Sequence, residues 1–186
     1  LIGGGLGLTA AYFGGRTDNI IMRFIDIIQA IPSILLCIAL VAILGNGMWQ
    51  LIVAITAGTI QGMTKNVRAA VFMVRNNEYV NSSKSIGVSD LHIMLKHLIP
   101  NAVGMIVINA IGVISGTILT ISSLSYLGVG LTPPTPEWGA ILSEGKQYMA
   151  VAPHMVYFPG LMIAITVVAF NLFGNGLRDA LDPRLK

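Results

Sequence analysis

Few side chains in this sequence could do chemistry, and they do not converge. His92 and His97 are five residues apart, about 140° of rotation on an α-helix, so they would not share a metal. No HExxH pair occurs, and no lysine follows the glycines at 3, 4, 5 and 7 in the GxxxxGK[ST] pattern of a phosphate loop. Cys37 has no second cysteine to pair with and reads as a small packed hydrophobe. No serine sits in a GxSxG elbow. The residues therefore predict no catalytic, metal-binding or cofactor-binding site, and no enzyme.

The elements that carry these residues are predicted from composition. Of 186 residues, 54% are hydrophobic and 10% charged, where a soluble domain has roughly 25% charged. Mean hydropathy is +0.78. Such a chain cannot cover a soluble surface, and it is too apolar for disorder. The prediction is an all-α, polytopic transmembrane bundle. A spanning helix needs about 20 mainly apolar residues. Runs near 24–44, 48–63, 102–129 and 155–173 meet or approach that, and residues 1–13 read as the tail of a further span that begins outside this sequence. Gly3/Gly7, Gly58/Gly62 and Gly112/Gly116 have the spacing of closely packed helices, and Pro32 should kink the second span.

If the spans alternate, ten of the eleven basic residues fall in 14–23, 64–100 and 177–186, and only Lys146 falls on the other side. The positive-inside rule makes the first side, with the C-terminus, cytoplasmic. Trp49 and Trp138 then lie at outer ends, as interfacial anchors. No ionisable residue lies mid-span, which argues against a proton-coupled carrier or a voltage sensor. The long 64–100 segment argues against a simple pore. A channel or ATPase-independent secondary carrier remains the alternative from another class.

Residues 64–100 carry seven charges: Lys65, Arg68, Arg75, Glu78, Lys84, Asp90 and Lys96. Thirty-seven residues are too many for a bare turn, so the segment should be structured. Asn77 to Ile86 permits a helix, Gly87 provides a left-handed C′ position, and Ser89 can cap the next helix. Leu91, Met94, Leu95 and Leu98 follow at i, i+3, i+4 and i+7, and Pro100 ends the segment or begins the next span. This helix–turn–helix is tethered to spans at both ends, which excludes the DNA-binding reading. It either rests on the bilayer or docks on a cytoplasmic partner.

Asn81-Ser82-Ser83-Lys84-Ser85-Ile86-Gly87, nine residues, then His97-Leu98-Ile99-Pro100 resembles the EAA loop of bacterial ABC-importer permeases. Asn81 stands where that pattern has Glu, Ser82 and Ser83 where it has Ala, and His97 where it has Ile. Three further blocks resemble the same family: Ala30-Ile31-Pro32-Ser33; Leu124 to Gly130 running into Pro133-Pro134-Thr135-Pro136-Glu137-Trp138-Gly139; and Gly176-Leu177-Arg178-Asp179-Ala180-Leu181-Asp182-Pro183-Arg184. Together they look like the C-type permease of peptide (oligopeptide or dipeptide) or nickel importers. The resemblance implies the type I transmembrane fold, with about five of an expected six spans here, in a bacterial plasma membrane. It implies an ATPase-coupling loop containing Glu78, Asn81, Ser82, Ser83, Gly87, Ser89, Asp90, Leu91 and Pro100. It implies as partners a second homologous permease, two cytoplasmic ATPases and an external solute-binding protein, besides membrane lipid and without nucleic acid. ATP would be bound by the partner subunits, with no cofactor in this chain. The alternation of spans makes residues 130–154 the external loop, where Glu137, Trp138 and the Pro cluster either lie near the binding-protein dock or form a stiff loop with no partner.

Overall fold

The computed structural model describes residues 1–131 and 134–181. Pro133 of the Pro-rich block and Asp182, Pro183 and Arg184 of the closing block lie outside the described residues. Among the described residues the chain is helical, with no strand. The helices are α1 (Ile2–Phe13), α2 (Gly15–Gln29), α3 (Ser33–Leu44), α4 (Met48–Arg75), α5 (Glu78–Ser85), α6 (Asp90–Ile93), α7 (Ile99–Tyr126), α8 (Trp138–Gly145) and α9 (His154–Leu181). A π-helical turn, Met94–Leu98, joins α6 to α7, and a 3₁₀ turn, Lys146–Tyr148, follows α8.

Among the described residues two helices are long and apolar enough to cross a membrane: Asp90–Tyr126, 37 residues, and His154–Ala180, 27 residues. The broken pair α2 and α3 would make a third if counted as one span. The break falls where Pro32, with no N–H to give, precedes α3. Helix limits differ from the apolar runs. α4 does not stop at Met63 but continues through Lys65, Arg68 and Arg75, because no glycine or proline interrupts residues 63–75 and Lys, Arg, Ala and Met favour helix. α7 stops at Tyr126, short of Val129, because Gly128 turns left-handed at φ +82°.

The chain forms two compact units. The first holds residues 1–30, 60–110 and the end of α9 from Asn175. Its core joins Leu8, Ala11 and Tyr12 of α1, Val67, Ala70 and Val71 of α4, Val80 of α5, and Ile93, Met94, Leu98 and Ala102. Glycines let α1 sit directly on α4: a β-carbon at Gly7 would lie 2.4 Å from the Thr64 carbonyl oxygen, and one at Gly3 would lie 3.0 Å from that of Ile60. The second unit holds residues 31–59 and 111–174. Its core joins Cys37 and Val41 of α3, Leu51, Ala54 and Ile55 of α4, and Leu124 of α7. The Cys37 thiol donates to the Ala54 carbonyl, 3.3 Å, and packs against Gly58. Gly62, Gly112 and Gly116 have open space where a side chain would go, so these glycines form no close-approach face among the described residues.

Candidate functional site

The α5–α6 corner is built by local chemistry. Asn77 takes an extended backbone at the N-cap of α5, and Glu78 lies in the first turn, where a negative charge suits the helix dipole. Val80 is fully buried and fixes the inner face. The Ser83 and Ser85 hydroxyls donate to the carbonyls of Tyr79 and Asn81. At the end of α5 the Val88 N–H bonds the Ser83 carbonyl at 3.1 Å and the Gly87 N–H bonds that of Lys84 at 3.0 Å. With Gly87 at φ +79°, this is a complete Schellman motif, which satisfies carbonyls a bare helix end would leave open. Val88, just beyond, packs on the first unit's core. The left-handed turn that the sequence predicts at Gly87 is present.

Two expectations for this segment are corrected. Ser89 occupies the N-cap of α6 with extended backbone, but its hydroxyl makes no capping bond. The side chain that matters there is Asp90: it accepts a 2.5 Å hydrogen bond from the Tyr12 hydroxyl of α1. The second correction concerns the apolar stripe of Leu91, Met94, Leu95 and Leu98. The π-helical turn splits it: Met94 and Leu98 are buried, whereas Leu91 and Leu95 are exposed. The same turn underwinds the helix around the histidines, because i→i+5 bonding puts more residues in each turn. The His92 and His97 rings lie 6.0 Å apart instead of on diverging faces, and Tyr79 approaches His97 at 6.2 Å. Among the described residues no group of three or more His, Cys, Asp or Glu could hold a metal ion.

Of the two expectations for Pro100 the second holds: it lies in the first turn of α7 and begins the next span, within a helix that runs from Asp90 to Tyr126. A proline removes one N–H from the ladder, and nearby the Asn101 side-chain amide donates to the His97 carbonyl at 2.7 Å. The corner is thus continuous with a long helix.

The charges of 64–100 divide into two groups. Three basic side chains of α4 hold the N-terminal helices. Lys65 bonds Asp26, 3.0 Å, and Gln29. Arg68 forks onto both Asp18 oxygens at 2.6 Å. Arg75 donates to the Ala11 carbonyl at 2.7 Å. Lys84 adds a contact with the Tyr12 ring, 4.5 Å from its centroid. The hydrogen bonds to Asp18, outweighing the cost of burial, push the Arg68 guanidinium above its usual range. By contrast, Glu78 and Lys96 are exposed and take no ion pair among the described residues. Around the corner, Asn81, Ser82 and Gly87 are exposed, and so are Ile86 (79%) and Leu91 (65%). No local sequence pattern marks these internal ties, because the partners are 36 to 78 residues apart.

Arg68→Lys keeps the charge but not the two-pronged geometry. It is expected to lose part of the roughly 1.5–3 kcal/mol that a charged hydrogen-bonded contact contributes, and Arg68→Ala all of it. Thermal unfolding in detergent, with Asp18→Asn closing a double-mutant cycle, measures the coupling. Additive effects of Arg68→Ala and Asp18→Asn would show that the fork contributes nothing.

A second constellation lies in the other unit. α7 also ends in a Schellman motif, with Val129 N–H to Leu124 carbonyl and Gly128 N–H to Ser125 carbonyl, both 2.9 Å. The Ser125 hydroxyl donates to Glu137 at 2.6 Å, and the other Glu137 oxygen is buried without a partner among the described residues. A β-carbon at Gly139 would lie 2.6 Å from the Ser122 carbonyl, which brings Trp138 and the start of α8 hard against α7. Beside this junction is an open cleft of about 410 Å³ lined by Ser122, Ser123, Tyr126, Leu142 and Ile163 among others. Glu137 is therefore a joint between α7 and α8, with one oxygen committed inside the protein.

The sequence matches the family described as binding-protein-dependent transport system inner membrane component over residues 3–186. It is 46% identical to the glutathione transport system permease protein GsiD of Pectobacterium atrosepticum over 186 residues, all of this chain and 62% of that protein. It is also 46% identical to GsiD of Escherichia coli O6:K15:H31 and of Shigella boydii serotype 4, over 175 residues, 94% of this chain and 58% of each relative. The chain thus spans about three fifths of the length of these curated relatives. An all-α fold, two long apolar helices and a match across nearly the whole sequence agree: the chain belongs to the inner-membrane permease family of binding-protein-dependent ABC importers, a family of transport components and not of enzymes.

Proposed function

We propose that the chain forms half of the translocation path of an importer for small peptides, working with a second permease, two ATPases that bind the ATP, and an external binding protein. The observation that carries the coupling role is the exposed corner at Gly87, pinned by its Schellman motif and continuous with a 37-residue helix. A partner that pushes on Ser82, Ile86 or Leu91 pushes on the N-terminal end of that helix. Glu78, exposed one turn before Asn81, supplies the charge that Asn81 lacks. Asp90 serves differently from the other corner residues: it faces Tyr12 and holds the corner to α1.

On this reading the basic segments 14–23, 64–100 and the C-terminus face the cytoplasm, and 130–154 faces outward. Ten of eleven basic residues support that orientation. The glutathione named for the relatives, a tripeptide, favours a peptide over nickel.

The test is co-purification of the full-length protein from its own host, followed by reconstitution. The expected result is recovery of an ATPase and a second permease, with ATP hydrolysis stimulated by a binding protein loaded with a tripeptide. A full-length protein that purifies alone and conducts or exchanges solute without ATP would overturn the reading.

A further inference from the structure

α2 presents two faces of different chemistry. Its inner face is spent within the first unit. Ile25 is fully buried, Asp18 accepts the Arg68 fork, and Asp26 and Gln29 accept from Lys65. Both acids of the helix are therefore neutralised. The outer face carries Ile20, Phe24 and Ile27 at i, i+4 and i+7, exposed by 70%, 56% and 70%. Arg16 and Arg23 run along the edge of this stripe, exposed and without an acidic partner among the described residues.

A water-facing surface would not carry that stripe, and a spanning helix would not carry four charges in fifteen residues. An apolar stripe edged by arginines is the pattern of a helix lying in the plane of the bilayer interface. Basic residues at that depth attract anionic headgroups. We propose that α2 lies in the membrane interface and binds anionic phospholipid, with Ile20, Phe24 and Ile27 among the acyl chains and Arg16 and Arg23 on headgroup phosphates. A protein segment covering the same face would need acids placed at both arginines, two helical turns apart, whereas headgroups supply them at any position. Residues 24–29 then belong to the interface and not to the core of a span. The inference is independent of the transport reading. It needs only a membrane protein, which the family match establishes.

The test uses a Phe24→Trp variant of the full-length protein in phosphatidylcholine vesicles. These carry the same minor fraction of either brominated phosphatidylglycerol or brominated phosphatidylcholine, with bromine near the headgroup or near the chain end. Fluorescence is read as the excess over the parent, which retains Trp49 and Trp138. Phosphatidylglycerol is expected to quench the excess on the order of three- to tenfold more effectively than phosphatidylcholine. Bromine near the headgroup should act more strongly than bromine at the chain end. Adding R16Q and R23Q should erase the headgroup preference while the circular dichroism spectrum is unchanged. Equal quenching by the two lipids overturns the anion selectivity. Stronger quenching by deep bromine means α2 spans the bilayer, and no quenching by any lipid means protein covers the face. Either result ends the proposal. Ile27→Trp provides the same readout should Phe24→Trp fail to fold.

Discussion

Gly7→Val is expected to remove α1 from α4 and to prevent the first unit from folding. The added β-carbon would fall 2.4 Å from the Thr64 carbonyl oxygen and 3.0 Å from both the Arg68 nitrogen and the Val67 β-carbon. Two of these three neighbours are backbone, so no side-chain rotation relieves the clash. The helices must separate, and close approach is what small residues contribute where there is no water to drive association. Overpacking alone costs about 1–3 kcal/mol and occasionally more. Here separation also pulls on three ties at the C-terminal end of α1: Tyr12 to Asp90, Arg75 to the Ala11 carbonyl, and Lys84 over the Tyr12 ring. The expected loss is therefore at the upper end, roughly 3 kcal/mol or more, seen as a collapsed thermal midpoint in detergent. Gly4→Val and Gly5→Val are the internal controls, because nothing lies within 4 Å of a side chain added there. They make the same change in helix propensity, which favours valine over glycine by a few tenths of a kcal/mol, and should be neutral or slightly stabilising. If all three variants unfold alike, α1 does not seat on α4 through Gly7.

The same contrast shows which features could be read from sequence and which could not. Gly3 and Gly7 had the spacing of a packing face, and so did Gly112 and Gly116, yet only the first pair meets backbone. Spacing states that a close approach is possible, while the partner helix is chosen far along the chain. The Gly87 corner was legible because everything that makes it is local: a short polar helix, a glycine, then a valine that packs on the core. The identical motif at Gly128 was not legible, since Leu127 and Val129 are apolar and continue the hydrophobic run through the turn. The continuation of α4 beyond Met63 was missed for the opposite reason: the charges that begin at Lys65 end the apolar run but not the helix. The π-helical turn at Met94–Leu98 leaves no mark in composition, although it decides which leucines face outward and brings His92 towards His97. The ion pairs of α4 with Asp18 and Asp26 join residues 50 and 39 apart, and no local pattern specifies them.

On the coupling role proposed for the corner, Gly87→Val is expected to leave membrane insertion and abundance unchanged and to lower ATP-driven uptake by roughly tenfold or more, the left-handed penalty of 1–2 kcal/mol being about a factor of ten. The site is open, with nothing within 4 Å of an added β-carbon, so the substitution does not clash. Its whole effect lies in the backbone, held at φ +79°. An L-residue pays about 1–2 kcal/mol in the left-handed region, and a β-branched one more. The corner escapes that penalty by giving up its two closing hydrogen bonds, which re-aims Ser82, Ile86 and Leu91 at whatever docks there. The long helix from Asp90 stays folded, since Ile93, Met94 and Leu98 remain in the core. Folding and force transmission are thereby separated, as an uncoupling defect requires. Side-chain size does not enter, so the series should follow tolerance of left-handed backbone and not volume. Gly87→Asn should retain most uptake, because Asn enters this region readily, Gly87→Ala an intermediate amount, and Gly87→Val least. The measurement is uptake of the proposed peptide substrate into vesicles alongside ATP hydrolysis by the reconstituted complex. The defect should appear as hydrolysis no longer answering to the loaded binding protein. A Gly87→Val protein with ordinary uptake, or a series ordered by side-chain volume, would show that the left-handed corner is not what transmits the motion.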